Sequence, residues 1–209
     1  MIDSELALQK LIEGNKQFVA ATAGTDVAEI TTTLKRTSIQ EGQKPFAIIL
    51  GCSDSRVPAE LVFNCGLGDL FVIRVAGNIV APSQIGSIEF ACQQFNVQLV
   101  VVLGHSHCGA INATVQALTE DHDAISPNIA SIVDRVTPAV LPVVNAHKDC
   151  GHAELIHRAM RANVEQSVNG LKLRSRQLRQ LVRNNKLKIV GAEYSIETGE
   201  VEFYLDDEV

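Results

Sequence analysis

The 209-residue chain has 46% hydrophobic and 20% charged residues and a formal net charge of −6. This length and composition are typical of one folded domain with a sizeable core, and they exclude a disordered polypeptide. The negative charge argues against binding to nucleic acid or to an anionic membrane, because both require a positive field.

The N-terminal residues are predicted to form helices. Leu8, Leu11 and Ile12 follow helical spacing, and a second helix is predicted at Ala28–Glu41. We expect residues 1–42 to form a helical arm and residues 43–209 an α/β core within a single domain. The segment lacks the basic and apolar regions of a secretory signal, so we expect a cytoplasmic protein. No apolar run approaches the roughly 20 residues that a transmembrane helix needs.

A parallel sheet is predicted after Pro45. Short, largely apolar runs rich in β-branched residues are typical of strands buried on both faces, and they occur at Phe46–Leu50, Leu70–Val75, Leu99–Leu103 and Leu187–Ala192. Helical stretches are predicted between them at Ser83–Phe95, Ala110–Leu118 and Ala153–Val182. This alternation indicates an α/β fold with a mostly parallel central sheet flanked by helices. The alternating segment Val201–Leu205 follows a Thr198-Gly199 turn and is predicted to be an antiparallel edge strand.

Residues that can bind a metal follow two of these strands. The five cysteines are an odd number, which favours reduced thiols or metal ligands over a disulfide framework. Cys52 follows one strand, and His105 and Cys108 follow another, at the sheet edge where loops of parallel strands converge. Zinc prefers thiolate and imidazole ligands, and a catalytic zinc uses three protein ligands. We therefore predict one zinc ion per subunit, held by these three residues.

Two other metal-binding arrangements are considered. His107 lies between the proposed ligands and is an alternative to His105, but it would then be adjacent to Cys108. Cys150 and His152 can also bind a metal, yet they lie in a predicted loop with no second pair of ligands nearby. Both arrangements are less consistent with the sequence than the three-residue set.

A nucleophilic cysteine is another interpretation, since phosphatase-like and rhodanese-like loops place an arginine after a cysteine that follows a strand. Those loops need about five residues between the two, so that successive amides encircle an oxyanion. Only three residues separate Cys52 from Arg56, and one of them is Asp54, whose carboxylate would repel an anion. Beside zinc, Asp54 can instead accept a hydrogen bond from bound water, while Arg56 holds it ionised. The alternative is an incidental surface ion pair of little energetic value.

The motifs CSDSR at Cys52–Arg56 and HSHC at His105–Cys108 resemble the signature of the β-class carbonic anhydrases. The similarity extends over Gly42–Ala113, through the segments GQKPFAIILGCSDSRVPAELVF, GDLFVIRVAGN, GSIEFA and VVVLGHSHCGA. It implies reversible hydration of carbon dioxide to bicarbonate and a proton by zinc-bound hydroxide. A carbonyl sulfide or carbon disulfide hydrolase on the same zinc site is the alternative enzyme, and a noncatalytic zinc-stabilised assembly protein is the alternative of another class.

The resemblance also implies substrate contacts and partners. Gln43 resembles a glutamine that reaches the substrate in the neighbouring subunit's site, and Phe71 resembles an apolar wall of the carbon dioxide cleft. The Gly109 amide resembles a donor to a substrate oxygen. In the family the N-terminal helices pack on a partner subunit, which implies a homodimer, a homotetramer or a larger assembly. Members that are regulated by bicarbonate at a second, noncatalytic site often carry tryptophan where this chain has Ile49. Arg74 matches another residue of that second site.

Overall fold

A computed structural model describes residues 2–23, 42–119 and 126–205, so the helix predicted at Ala28–Glu41 lies outside the described residues. The helices are α1 Ser4–Thr22, α2 Ala59–Val62, α3 Pro82–Phe95, α4 Gly109–Thr119, α5 Pro127–Ala146, α6 His152–Arg174 and α7 Arg176–Arg183. The strands are β1 Ala47–Gly51, β2 Leu70–Arg74, β3 Leu99–His105, β4 Lys188–Tyr194 and β5 Val201–Tyr204. A 3-10 turn covers Ala76–Asn78.

The five strands form one sheet in the order β2-β1-β3-β4-β5. The first four are parallel, and β5 pairs antiparallel to β4 at the sheet edge. This confirms the predicted fold. In the register of β1 and β3, Gly51 pairs with Leu103, so the residues that follow these two central strands emerge side by side.

The sheet separates two apolar cores, because successive side chains of a strand point to opposite faces. Ile48 and Leu50 pack with α3, α4, α5 and α6 on one face, and Ala47 and Ile49 pack with α1 and α2 on the other. Asn15 of α1 is buried and donates to the Gly199 carbonyl at 2.8 Å. Helix α1 therefore packs on its own chain, and a contact between the N-terminal arm and a partner subunit stays a prediction.

Two features of the helices differ from the sequence analysis. The predicted continuous helix at Ala153–Val182 is wrong, because Ser175 is extended (φ −110°, ψ 115°) and separates α6 from α7. The Ser175 hydroxyl accepts a hydrogen bond from the Leu178 amide and so caps α7. Helix α5 was not predicted, because Pro138 and Pro142 lie inside it, and such prolines remove helical hydrogen bonds.

Helix α5 is the one helix in the described part of the chain whose length and composition would allow it to span a membrane, with a mean hydropathy of 1.3. Core helices of globular proteins can have the same composition. In this structure Val133, Val136, Val140 and Val144 form the buried stripe of α5. That stripe packs in the core shared with α4 and α6.

Candidate metal centre

Three side chains meet where β1 and β3 end. Cys52 directly follows β1, His105 is the last residue of β3, and Cys108 immediately precedes α4. Their ligand atoms all lie within 4.8 Å of one another, and all three residues are buried. Within residues 2–23, 42–119 and 126–205, this is the only group of three or more His, Cys, Asp or Glu residues so arranged. Cys150 and His152 are not part of such a group.

The His105 ring has the orientation and the vacant nitrogen that a metal ligand needs. Its Nδ1 lies 2.8 Å from the Ser106 carbonyl oxygen, to which only a protonated Nδ1 can donate. In the neutral ring, Nε2 then carries the lone pair. It is buried and has no hydrogen-bond partner in the described part of the chain. Leaving a buried polar atom unpaired is costly, whereas coordination of a cation by Nε2 would satisfy it.

The two thiols are electrostatically coupled. Hydrogen bonding from the Cys108 thiol is the largest cause that lowers the pKa of Cys52, to about 3. The same contact with Cys52, together with burial, raises the pKa of Cys108 well above its usual range. The pair thus holds one negative charge readily and resists a second. A divalent cation would favour both thiolates, and a donor set of two sulfurs and one imidazole nitrogen is one that zinc prefers.

Asp54 lies beside the cluster as a fixed carboxylate. Arg56 donates from Nε to Oδ1 at 2.9 Å and from Nη2 to Oδ2 at 2.7 Å, which is a bidentate bond. These bonds hold the pKa of Asp54 well below its usual range, so the carboxylate is ionised at neutral pH. Arg74 fixes the same loop by donating to the backbone carbonyls of Cys52 and Asp54. The predicted pairing of Asp54 with Arg56 is therefore present.

His107 is directed away from the cluster, so the structure brings His105, not His107, to Cys52 and Cys108. Its side chain is 66% exposed, and its Nε2 pairs with Glu197 in the turn between β4 and β5. The Ser106 hydroxyl also donates to Glu197, at 2.7 Å. This attachment of the β3–α4 loop was missed by sequence reasoning. No sequence signal reveals it, because the two segments lie far apart in the chain.

We expect His107→Asn to bind the predicted zinc as well as the wild type does, because the His107 side chain does not approach the cluster. Asparagine suits the left-handed backbone at this position, where φ is +55°. The matched variant His105→Asn is expected to lose zinc. Elemental analysis of the two desalted proteins measures the difference, and loss of zinc from both would contradict the geometry of the loop.

The predicted substrate residues lie in two places. Gly109 begins α4 beside Cys108, and a Cβ atom built on it would meet no atom within 4 Å, so open space adjoins the cluster here. Gln43 precedes β1, and Phe71 pairs with Ile48 near the start of that strand. Along β1, Cys52 lies roughly 13 Å from Ile48, the partner of Phe71, and roughly 16 Å from the first residue of the strand, which follows Gln43. One chain therefore does not bring Gln43 or Phe71 to its own cluster, and their roles stay predictions.

Comparisons with known proteins agree with this site. Residues 47–201 match the carbonic anhydrase family model. Carbonic anhydrase 2 of Mycobacterium tuberculosis is 37% identical over 198 residues, covering 92% of this chain and 89% of that protein. The carbonic anhydrase of Mycolicibacterium smegmatis is 37% identical over 196 residues, covering 94% and 91%.

A solved structure reported among two tetrameric β-carbonic anhydrases of Sordaria macrospora has the same fold. Its TM-score is 0.72 at 21% identity, with 92% of this chain and 93% of that chain covered. The sequence relatives match over nearly their whole lengths, and the motifs that carry the resemblance surround the buried cluster. The chain therefore belongs to the β-carbonic anhydrase family, whose members are lyases that catalyse the hydration of carbon dioxide.

Proposed function

We propose that this chain is a zinc-dependent carbonic anhydrase that interconverts carbon dioxide and bicarbonate, with one zinc per subunit on Cys52, His105 and Cys108. The observation that carries the proposal is the buried cluster itself, with the His105 Nε2 unpartnered and a fixed carboxylate beside it. Zinc in such a site supplies a Lewis acid that lowers the pKa of water towards about 7.

Asp54 would orient the attacking oxygen. Arg56 donates to Oδ1 from its backbone N–H and from Nε, and to Oδ2 from Nη2 alone, so Oδ2 keeps a lone pair that can accept a hydrogen bond from water. Because Arg56 keeps the carboxylate ionised, Asp54 accepts this bond throughout the neutral pH range. It therefore fixes the direction of the oxygen lone pair that attacks carbon dioxide.

The start of α4 would bind the oxygens of the substrate. The first amides of a helix have no intrahelical acceptor and carry a partial positive charge. Gly109 carries such an amide directly after Cys108, at a position where a Cβ atom would meet no atom within 4 Å. An oxygen that gains negative charge as bicarbonate forms would be stabilised by this amide.

The choice between carbon dioxide and carbonyl sulfide depends on which molecule the cleft admits, and the sequence relatives named above are carbonic anhydrases. We expect purified protein to hydrate carbon dioxide in a stopped-flow pH-indicator assay and to release little sulfide from carbonyl sulfide. Chelator-treated protein gives the background for both assays. Sulfide release without carbon dioxide hydration would make the hydrolase the correct assignment.

We further propose that the chain works as a homodimer or a homotetramer. Gln43 and Phe71 lie towards the far end of β1 from Cys52, so a contact between these residues and substrate is expected in another subunit's site. The related Sordaria macrospora enzymes are tetrameric. The proposal therefore predicts that each site combines the Cys52 cluster of one subunit with Gln43 of its partner.

Mixed assemblies test this sharing. We expect Gln43→Ala and Asp54→Asn each to lower activity in the homo-oligomer. When the two variants are unfolded together and refolded, a hybrid pair contains one site with wild-type Asp54 and wild-type Gln43. Each hybrid pair should therefore show up to about half of the activity of a wild-type pair. Hybrids that stay as inactive as the separate variants would place Gln43 within its own subunit's site or outside any site.

A further inference from the structure

The 3-10 turn at Ala76–Asn78 contacts the metal centre through its backbone. The Gly77 amide donates to the Cys52 sulfur, with 3.4 Å between nitrogen and sulfur. Gly77 and Asn78 both have left-handed backbone angles, with φ of 67° and 42°. Glycine and asparagine are the residues that adopt this conformation most readily, and the orientation of the turn towards Cys52 is fixed by contacts to its carbonyls.

Helix α6 supplies those contacts. Asn163 Nδ2 donates to the Gly77 carbonyl at 2.9 Å, and Ser167 Oγ donates to the Asn78 carbonyl at 3.2 Å. The two residues are four apart and so lie on one face of the helix. They are only 1% and 4% exposed, which means that water does not compete for these bonds. Farther along the same helix, Arg174 donates to the Val80 carbonyl at 3.0 Å.

The opposite side of the turn is closed by other helices. A Cβ atom built on Gly77 would lie 3.1 Å from the Ala110 Cβ in α4 and 3.5 Å from a Val136 methyl in α5. The turn is therefore held between α6 on one side and α4 and α5 on the other. Because α4 begins immediately after Cys108, the packing that holds the turn is continuous with the packing that places this second thiol.

We infer that Asn163 and Ser167 are positioning residues for Cys52, which keep the Gly77 N–H directed at the thiolate. The inference rests on the proposed function, since it concerns Cys52 as a metal ligand. Two thiolates donate strongly and would weaken the Lewis acidity of zinc. A hydrogen bond to one of the sulfurs withdraws electron density from it and offsets part of that effect.

The test uses Asn163→Leu, which keeps the side-chain size but removes the donor, and Ser167→Ala. Protein whose metal has been exchanged for cobalt(II) is examined by absorption spectroscopy, and zinc protein is challenged with a chromophoric chelator. We expect both variants to shift the thiolate-to-cobalt charge-transfer bands to lower energy, because the sulfur becomes more electron-rich. Zinc release should be about tenfold faster, the usual size of effects from groups that orient a ligand.

Arg174→Ala is the matched control. It removes a hydrogen bond from the same helix to the same chain segment, but beyond the turn that contacts Cys52. It should lower thermal stability while keeping the wild-type bands and zinc release. The inference would be overturned if Ser167→Ala showed the same charge-transfer bands and the same rate of zinc release as Arg174→Ala. This result would decide the question even if Asn163→Leu failed to fold. Wild-type protein that binds neither zinc nor cobalt would overturn the proposed function instead.

Discussion

Replacing Asp54 by asparagine is expected to lower turnover by about 10²-fold to 10⁴-fold while zinc stays bound, the range seen when a group that directs proton transfer is removed. Asparagine has nearly the same shape but no negative charge, and it cannot pair with Arg56 through two acceptor oxygens. The attacking oxygen would then lose its orientation, whereas Cys52, His105 and Cys108 are unchanged. Stopped-flow hydration of carbon dioxide and elemental analysis of the same sample measure both quantities.

Asp134→Asn is a suitable control for the loss of one negative charge. Asp134 is exposed on α5, and within the described residues it makes no ion pair or side-chain hydrogen bond. Its activity and zinc content should match the wild type. If Asp54→Asn kept full turnover, Asp54 would not orient the attacking oxygen, and if the wild type itself showed no turnover, the chain would be better described as a noncatalytic zinc-stabilised protein. If it lost zinc together with activity, Asp54 would act on the metal loop and not on the substrate.

Removing Cys108 is expected to abolish both metal binding and activity. Cys108→Ala leaves only one sulfur and one nitrogen, which is fewer than the three protein ligands of a catalytic zinc site. It also removes the hydrogen bond that contributes most to the lowered pKa of Cys52, so the remaining thiol becomes harder to ionise. Zinc per subunit is measured on desalted protein, with about one expected in the wild type and none in the variant.

Cys92→Ala controls for the loss of a buried thiol. Cys92 lies in α3 and is 6% exposed, and burial raises its pKa to about 12, so it remains a neutral packing residue. This variant should lose about 1 kcal/mol of stability and keep its zinc and activity. A full complement of zinc in active Cys108→Ala protein would show that the metal is held by other residues.

The four parallel strands could be predicted because each is a largely apolar run, and β5 because its apolar and polar residues alternate after a turn. β1 was expected to begin at Phe46 and begins one residue later. β3 continues to His105, two residues beyond its predicted end, so this ligand belongs to the strand itself. The candidate metal centre could also be predicted from the sequence, because the residues that follow neighbouring parallel strands emerge at the same edge of the sheet.

Other features depend on contacts that no local pattern records. Helix α5 contains two prolines that local rules place outside helices, and tertiary packing of its valine stripe compensates for them. The attachment of the β3–α4 loop by Glu197 joins segments from distant parts of the chain. Asn163 and Ser167 did leave a signal, because they are polar residues on a face of α6 that also carries Met160, Val164 and Leu171. Their hydrogen-bond partners required the fold.

The position of the cluster between β1 and β3 has a mechanical consequence. These two strands are hydrogen-bonded neighbours at the centre of the sheet, yet β2 and α3 separate them in the chain. An ion bound by Cys52, His105 and Cys108 would cross-link the ends of β1 and β3. It would thereby close the chain segment between them, which contains β2 and α3. Metal binding and the stability of the sheet would then be thermodynamically linked. Loss of the ion would lower the free energy of unfolding as well as abolish the activity.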